Sequence, residues 1–185
     1  MSKSVQQQII ISGVGGQGVL FVTRLLAEAA IGKGLAVFTS ETHGMAQRGG
    51  TVLSHFKVGT YASPLIRPAQ ADGLLVLRAE NLAQHSAFLK ESGWVIVNGK
   101  DAVENNASAS IDADSLAREI GNPKAVNLIV LGFALAAAGK NKDGHNELFC
   151  SLADIKKVLQ DRFGKKEKML NASLKALETG YRGVT

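Results

Sequence analysis

Apolar and polar positions along the chain alternate between two periods. Gln8-Ile9-Ile10-Ile11-Ser12 is a short apolar stretch that predicts a strand, and Val19, Val22, Leu25, Leu26, Ala29 and Ala30 recur at helical spacing up to Gly32 and Gly34, which are stop signals. Leu35 to Thr39 reads as a second strand. Ser40 to Gly50 has no clean period, contains Gly44, Gly49 and Gly50, and is read as a loop with at most one helical turn. Thr51 to Val58 alternates as a strand should, after which Gly59, Pro64 and Pro68 interrupt regular structure. Gly73 to Leu77 is continuously apolar, as in a strand covered on both faces. A helix is predicted over Glu80 to Lys90, a strand over Trp94 to Val97, and a short one at Ser110-Ile111.

The second half turns helical. Asp114 is read as the N-cap of a helix over Ser115 to Ile120, ended by Gly121-Asn122-Pro123. Val126 to Ala138 is almost wholly apolar and predicts a helix buried among others. Amphipathic helices follow at about Ser151 to Arg162 and Lys166 to Thr179, with Gly164 between them. The expected architecture is α/β: a Rossmann-like, mostly parallel sheet with helices on both faces and a helical C-terminal region, in a single domain over residues 1–185. Nothing in the pattern suggests a repeat, a low-complexity tract or a linker.

Between the first strand and first helix stands Gly13-Val14-Gly15-Gly16-Gln17-Gly18. Glycines at 13, 15 and 18 fit a dinucleotide fingerprint, in which missing Cβ atoms permit a tight turn, close approach of a phosphate to backbone N–H groups, and close helix packing. The helix start favours negative charge through its dipole and free N–H groups. The same turn would serve equally as close-packed connection with no ligand. Glu41, 23 residues after Gly18, falls near where an acid would hold an adenosine ribose, so a stand-alone NAD(P)-dependent dehydrogenase is one reading; the absence of a substrate domain argues against it. An assembly scaffold without a ligand is another.

A second constellation is His43-Gly44-Met45-Ala46-Gln47-Arg48-Gly49-Gly50. Glycines around one arginine can present N–H donors and a guanidinium to a carboxylate or phosphate, or merely permit positive φ while Arg48 points to water. Met45 suits a core position or a subunit contact. Of the other histidines, His85 reads as a surface residue of a helix, His55 as packed or solvated within a strand, and His145, beside Asp143 and Gly144, as an ordinary loop residue.

Composition narrows the function classes. Among 185 residues, 20% charged and 45% hydrophobic is globular, and no apolar run is long enough to span a bilayer. No secretion signal is evident, so a cytoplasmic protein without membrane contact is expected. The single cysteine, Cys150, excludes an internal disulfide, a Cys-ligated zinc site and a self-contained iron–sulfur cluster. The net charge is +5, of which +4 lies from Ser151 onward, with eight Lys/Arg against four Asp/Glu. Aromatics for base stacking are nearly absent there, Phe163 and Tyr181 standing alone, so no nucleic-acid binding is expected.

Taken together, the glycine turn with Val19-Leu20, the segment Glu41 to Gly50, Ser63-Pro64-Leu65-Ile66 and the apolar strand after Ala71-Asp72 resemble the gamma-type subunits of 2-oxoacid:ferredoxin oxidoreductases. The wording of His43 to Gly50 is most similar to the beta subunits of the indolepyruvate branch of that superfamily. The resemblance implies a subunit of a complex that oxidatively decarboxylates a 2-oxoacid to acyl-CoA and is inactive alone. It places thiamine diphosphate, Mg and iron–sulfur clusters in partner subunits, and leaves no such cofactor to this chain. The single cysteine and the want of a Gly-Asp-Gly segment agree. Gly13, Gly15, Gly16, Gln17 and Gly18 become a cofactor loop, for coenzyme A, or an interface loop. Glu41, His43, Gly44, Gln47, Arg48, Gly49 and Gly50 become an interface or active-site loop. No residue is assigned catalysis and none a metal. Expected partners are the thiamine-binding and iron–sulfur subunits, ferredoxin through the complex, and, in isolation, a second copy of the chain.

Overall fold

Strand β1 (Gln7–Val14) runs through the middle of the sheet, and its Ile9, Ile10 and Ile11 are fully buried because side chains on both faces meet apolar neighbours. The computed structural model describes residues 5–43, 50–100, 108–138 and 148–183. After β1 come helix α1 (Val19–Gly32), strands β2 (Val37–His43), β3 (Thr51–Val58) and β4 (Ala71–Val76), and the short helix α2 (Asn81–His85). Strands β5 (Leu89–Asn98) and β6 (Ser108–Ile111) follow, then helices α3 (Ala113–Glu119), α4 (Val126–Ala138), α5 (Leu152–Phe163) and α6 (Glu167–Arg182).

The six strands form one sheet in the order β2-β3-β1-β4-β5-β6. β1, β4, β5 and β6 pair in parallel, while β3 is antiparallel to both β1 and β2. The sheet is therefore mixed, with β3 its one reversed strand among those described. The cause is the connection from His43 to Thr51, too short to carry the crossover that a parallel neighbour requires.

Helices lie on both faces, unequally. Ile9, Ile11, Phe56, Leu75, Trp94 and Ile96 share the larger core with α1, α3, α4, α5 and α6. On the opposite face Ile10, Leu53, Leu74, Val76, Val95 and Val97 are covered by Ile66, by Leu82 of α2 and by Phe88. α4 is apolar all round because it is covered all round: a Cβ on Gly132 would overlap the Leu177 carbonyl of α6, and one on Gly180 would overlap the Ile129 carbonyl of α4. The helical region beyond residue 150 is fastened by its charges, Lys156 to Glu178 at 2.6 Å and Arg162 to Glu28 of α1 at 2.8 Å. Ser151 and Asp154 form a capping box at the start of α5.

Three elements differ from the sequence expectation. β2 continues to His43 through Ser40–Thr42, because β3 offers these polar residues a ladder (Ser40 opposite His55, His43 opposite Val52) that periodicity does not reveal. The helix expected over Glu80 to Lys90 stops at His85 and passes through a tight turn, Ser86–Phe88, into β5. Backbone bonds from Ala69 N–H to the Ala87 carbonyl (2.9 Å) and from Gln70 N–H to the Phe88 carbonyl (3.0 Å) tie that turn to the chain entering β4. The N-cap of α3 is Asp112, whose carboxylate accepts from the Ser115 N–H at 3.0 Å; Asp114 instead accepts from the Asn98 amide at 2.8 Å.

Candidate functional site: the glycine turn

The glycine turn leaves β1 at the point where the chain order reverses, between β1 and β4, which is where open α/β sheets bind ligands beyond the carboxyl ends of their strands. Gly16 and Gly18 hold φ of +91° and +82°, a left-handed conformation that glycine adopts without penalty. Gly18 is the N-cap of α1, and its carbonyl accepts the Phe21 and Val22 N–H groups at 3.0 and 3.1 Å. No side chain caps this helix and its first turn carries no acid. Among the described residues no acceptor meets the N–H groups of Gly16, Gly18, Val19 or Leu20. Space around Gly16 is open. Among the described residues nothing compensates the positive end at the start of α1.

Gln17 locks the turn rather than reaching into it. Its carbonyl oxygen accepts from the Val14 N–H at 2.9 Å and its amide donates to the Leu77 carbonyl at 3.3 Å, so the ends of β1 and β4 are tied through one side chain. Beside it opens a cleft of about 250 Å³ lined by Gln17, Leu77, Arg78, Glu80, Asn98 and Asp114. Arg78 is held by Glu80 in a two-pronged ion pair at 3.0 and 3.2 Å, and Asn98 spans from the Leu77 carbonyl to Asp114. With its arginine so paired and Asp114 adjacent, this cleft favours neutral or cationic groups; the anion-attracting surface is the start of α1 itself.

Beneath the turn lies an enclosed polar cluster. Ser12 Oγ is 2.7 Å from His85 Nδ1, and Asn81 donates to both Ser12 Oγ (3.2 Å) and the Gly13 carbonyl (2.9 Å). His85 is buried, contrary to the surface position expected of it, because α2 turns it against β1. Burial lowers its pKa. Ser12 is fully enclosed, so this serine–histidine contact positions the turn and offers no nucleophile to a substrate. His55 is packed edge-on against Phe88 with its Nδ1 accepting from the Ile66 N–H at 3.1 Å, which leaves the proton on Nε2. Burial, then Lys57 and His85, hold His55 below its ordinary pKa.

The second constellation abuts the first where the Gly15 N–H donates to the Gly50 carbonyl at 3.1 Å. Gly44, Gln47, Arg48 and Gly49 lie outside the described residues, as does the side chain of His43. Glu41 is exposed on β2, opposite Ser54 of β3, which in turn faces Ile11 of β1. The inserted β3 therefore sets Glu41 two strands from β1, roughly 9–10 Å across at ordinary strand spacing. A nucleotide fingerprint with β2 beside β1 would bring that acid one strand nearer.

Sequence reasoning passed over Asn81, Asn98 and Asn127. Asn127 stands in the first turn of α4, only 8% exposed, and its amide nitrogen faces Gly18 so closely that a Cβ there would overlap it. The available signal was a lone polar residue inside an apolar run, Val126-Asn127-Leu128-Ile129. As to electron or metal chemistry, burial pushes the Cys150 thiol up to about 12, and no group of three or more His, Cys, Asp or Glu side chains comes together among the described residues. Nor is any described helix long and apolar enough to cross a membrane.

Comparison with known proteins bears on this geometry. A family model described as pyruvate ferredoxin/flavodoxin oxidoreductase matches residues 8–183. Indolepyruvate oxidoreductase subunit IorB of Archaeoglobus fulgidus is 29% identical, with 94% of this chain and 92% of that protein covered. The IorB subunit of Methanothermobacter thermautotrophicus is 31% identical over 71% of this chain and 79% of its own length. Among solved structures, the gamma subunit of a keto/oxoacid ferredoxin oxidoreductase from Geobacter sulfurreducens superposes with a TM-score of 0.73 at 26% identity, covering 96% of this chain and 97% of that one. A 2-oxoglutarate:ferredoxin oxidoreductase from Magnetococcus marinus, solved with 2-oxoglutarate, coenzyme A and succinyl-CoA bound, shares the fold at a TM-score of 0.77 and 21% identity, and all of this chain corresponds to 32% of it.

Proposed function

The chain belongs to the pyruvate ferredoxin/flavodoxin oxidoreductase family, and from that premise we propose that it is the gamma-type subunit of a cytoplasmic complex that oxidatively decarboxylates a 2-oxoacid to acyl-CoA and passes the electrons to ferredoxin. The observation that carries this reading is length: residues 8–183 match the family, and the chain covers nearly all of relatives that are themselves named as subunits. Thiamine diphosphate with Mg supplies the decarboxylation chemistry, and iron–sulfur clusters the electron path, from partner chains. Among the described residues no group of three or more His, Cys, Asp or Glu side chains comes together to hold Mg, and the one thiol of the chain, buried and protonated at neutral pH, does not suit a cluster. The chain's donors do fit an anion at the start of α1. There the turn would receive a phosphate of coenzyme A, with Gln17 and Asn81 holding the backbone in shape and the segment around Gly50 facing a neighbouring subunit.

Tagged protein purified anaerobically from its native cell should bring with it larger chains carrying thiamine and iron, identified by mass spectrometry and metal assay. The complex should reduce a viologen dye with a 2-oxoacid and coenzyme A, and the isolated chain should not. Purification of the chain free of such partners, or turnover of a hydroxy compound with NAD by the chain alone, would refute the proposal.

A further inference from the structure

We propose that Lys57, Tyr61 and Arg67 form a socket for a carboxylate of a partner subunit, an acidic side chain carried on an apolar segment. The inference rests on the reading of the chain as one subunit of a complex, and it places a docking surface far from the glycine turn. Lys57 lies opposite Gln8 at the start of β1, about six residues of strand, or roughly 20 Å, from Val14 where the turn begins. It stands in β3 two positions after His55, on the sheet face over which Ile66 is seated. Lys57 is only 7% exposed, which is rare for a lysine without a counter-charge. Its ammonium lies 5.0 Å from the centre of the Tyr61 ring, a contact that offsets part of the cost of burial but supplies no negative charge.

Among the described residues no carboxylate stands within ion-pair distance of Lys57 or Arg67. Asp72, the acid felt at Tyr61, is taken by Lys90 and by the Gln8 N–H at 2.6 Å. Burial, then the charge of Arg67, hold Lys57 below the ordinary lysine pKa, so the fold brings two cations together and gives neither an anion. A buried charge is costly until it is paired. Nor is this ammonium sealed in, since the fully enclosed side-chain N–H without a partner among the described residues belongs to Trp94. Tyr61 keeps its proton, because burial and Asp72 raise its pKa, and its hydroxyl is a further donor to an incoming carboxylate. The surroundings select a protein segment as the occupant. Phe38, the cross-strand neighbour of Lys57, is 39% exposed, and Leu65 beside Ile66 is 53% exposed. A small anion would leave both uncovered, whereas a segment of a partner covers them and brings the acid. A second copy fits less well, because two-fold pairing through this face would set the cations of a chain of net charge +5 against their own counterparts.

The test is association of the full-length chain with the thiamine- and iron-bearing subunits of its complex, followed anaerobically by sedimentation at graded salt, for wild type, Lys57→Met and Arg67→Met. Lys57→Met keeps an unbranched stem against Tyr61 and removes the charge. Arg67→Met, at an exposed position, decides the matter where Lys57→Met does not fold, as judged by circular dichroism. The expected result is a free chain that melts no lower than wild type and associates at least about tenfold more weakly for Lys57→Met, or about threefold for Arg67→Met, with the deficit shrinking as salt screens the wild-type pair. Association of the folded variants equal to wild type overturns the socket. So does a deficit that is the same at every salt concentration, which marks lost packing. A variant that loses only self-association of the free chain assigns the patch to a second copy and overturns it as well. Wild type that fails to associate with those subunits at all would refute the subunit reading, and the socket with it.

Discussion

At the scale of single residues, the turn tolerates few changes. Gly18→Ala forces a Cβ into left-handed backbone and into the Asn127 amide, so chemical denaturation should show a loss of at least about 2 kcal/mol. Gly16→Ala has the same φ cost but meets open space, so it should lose less. Cys150, protonated up to about 12 and buried, should resist thiol reagents at pH 8 in the native protein and react promptly once denatured. The glycines of this site were legible in the sequence because a left-handed turn demands them at fixed positions. Asn127 and Asn81 were not, because each gains its role from an element distant along the chain: Asn81 from the Gly13 carbonyl, Asn127 from Gly18.

Elements were legible where their residues carry the pattern themselves. β3, α4 and the span of α5 emerged as expected, since alternation, continuous apolarity and helical amphipathicity are local. The outer half of β2 and the truncation of α2 were not, since a neighbouring backbone decides both. Close contact between α4 and α6 is an element-scale property with a direct test. Gly180→Ala must push the helices apart, and its unfolding free energy should fall by about 3 kcal/mol or more. The face covered by α2 has its own signature in pH. His55 and His85 titrate below 6.5 in the fold, whereas the unfolded chain takes up protons from about that value downward. Stability should therefore be full above pH 7 and decline as pH falls through 6.5, by at most about 1.4 kcal/mol per pH unit for each histidine. A His85→Gln variant should flatten that slope in urea titrations between pH 7 and 5.5.

On the scale of the whole molecule, burial is lopsided. Among the described residues five helices share a core with one face of the sheet, while the other has a short helix and a proline-bearing segment, and most of β2 is exposed. Hydrogen exchange should follow that gradient, with amides of β1 and β4 opening only on global unfolding and those of β2 exchanging much sooner. The reversed β3 has an effect beyond nucleotide geometry. It pushes β2 to the sheet's margin, where Val37-Phe38-Thr39-Ser40-Glu41-Thr42-His43 has no lysine or proline to discourage a visitor. Such a rim, uncovered among the described residues, is a template for strand addition, so the solitary polypeptide at high concentration should creep toward fibrous aggregates that light scattering can follow. A lysine placed at Thr39 would slow that drift.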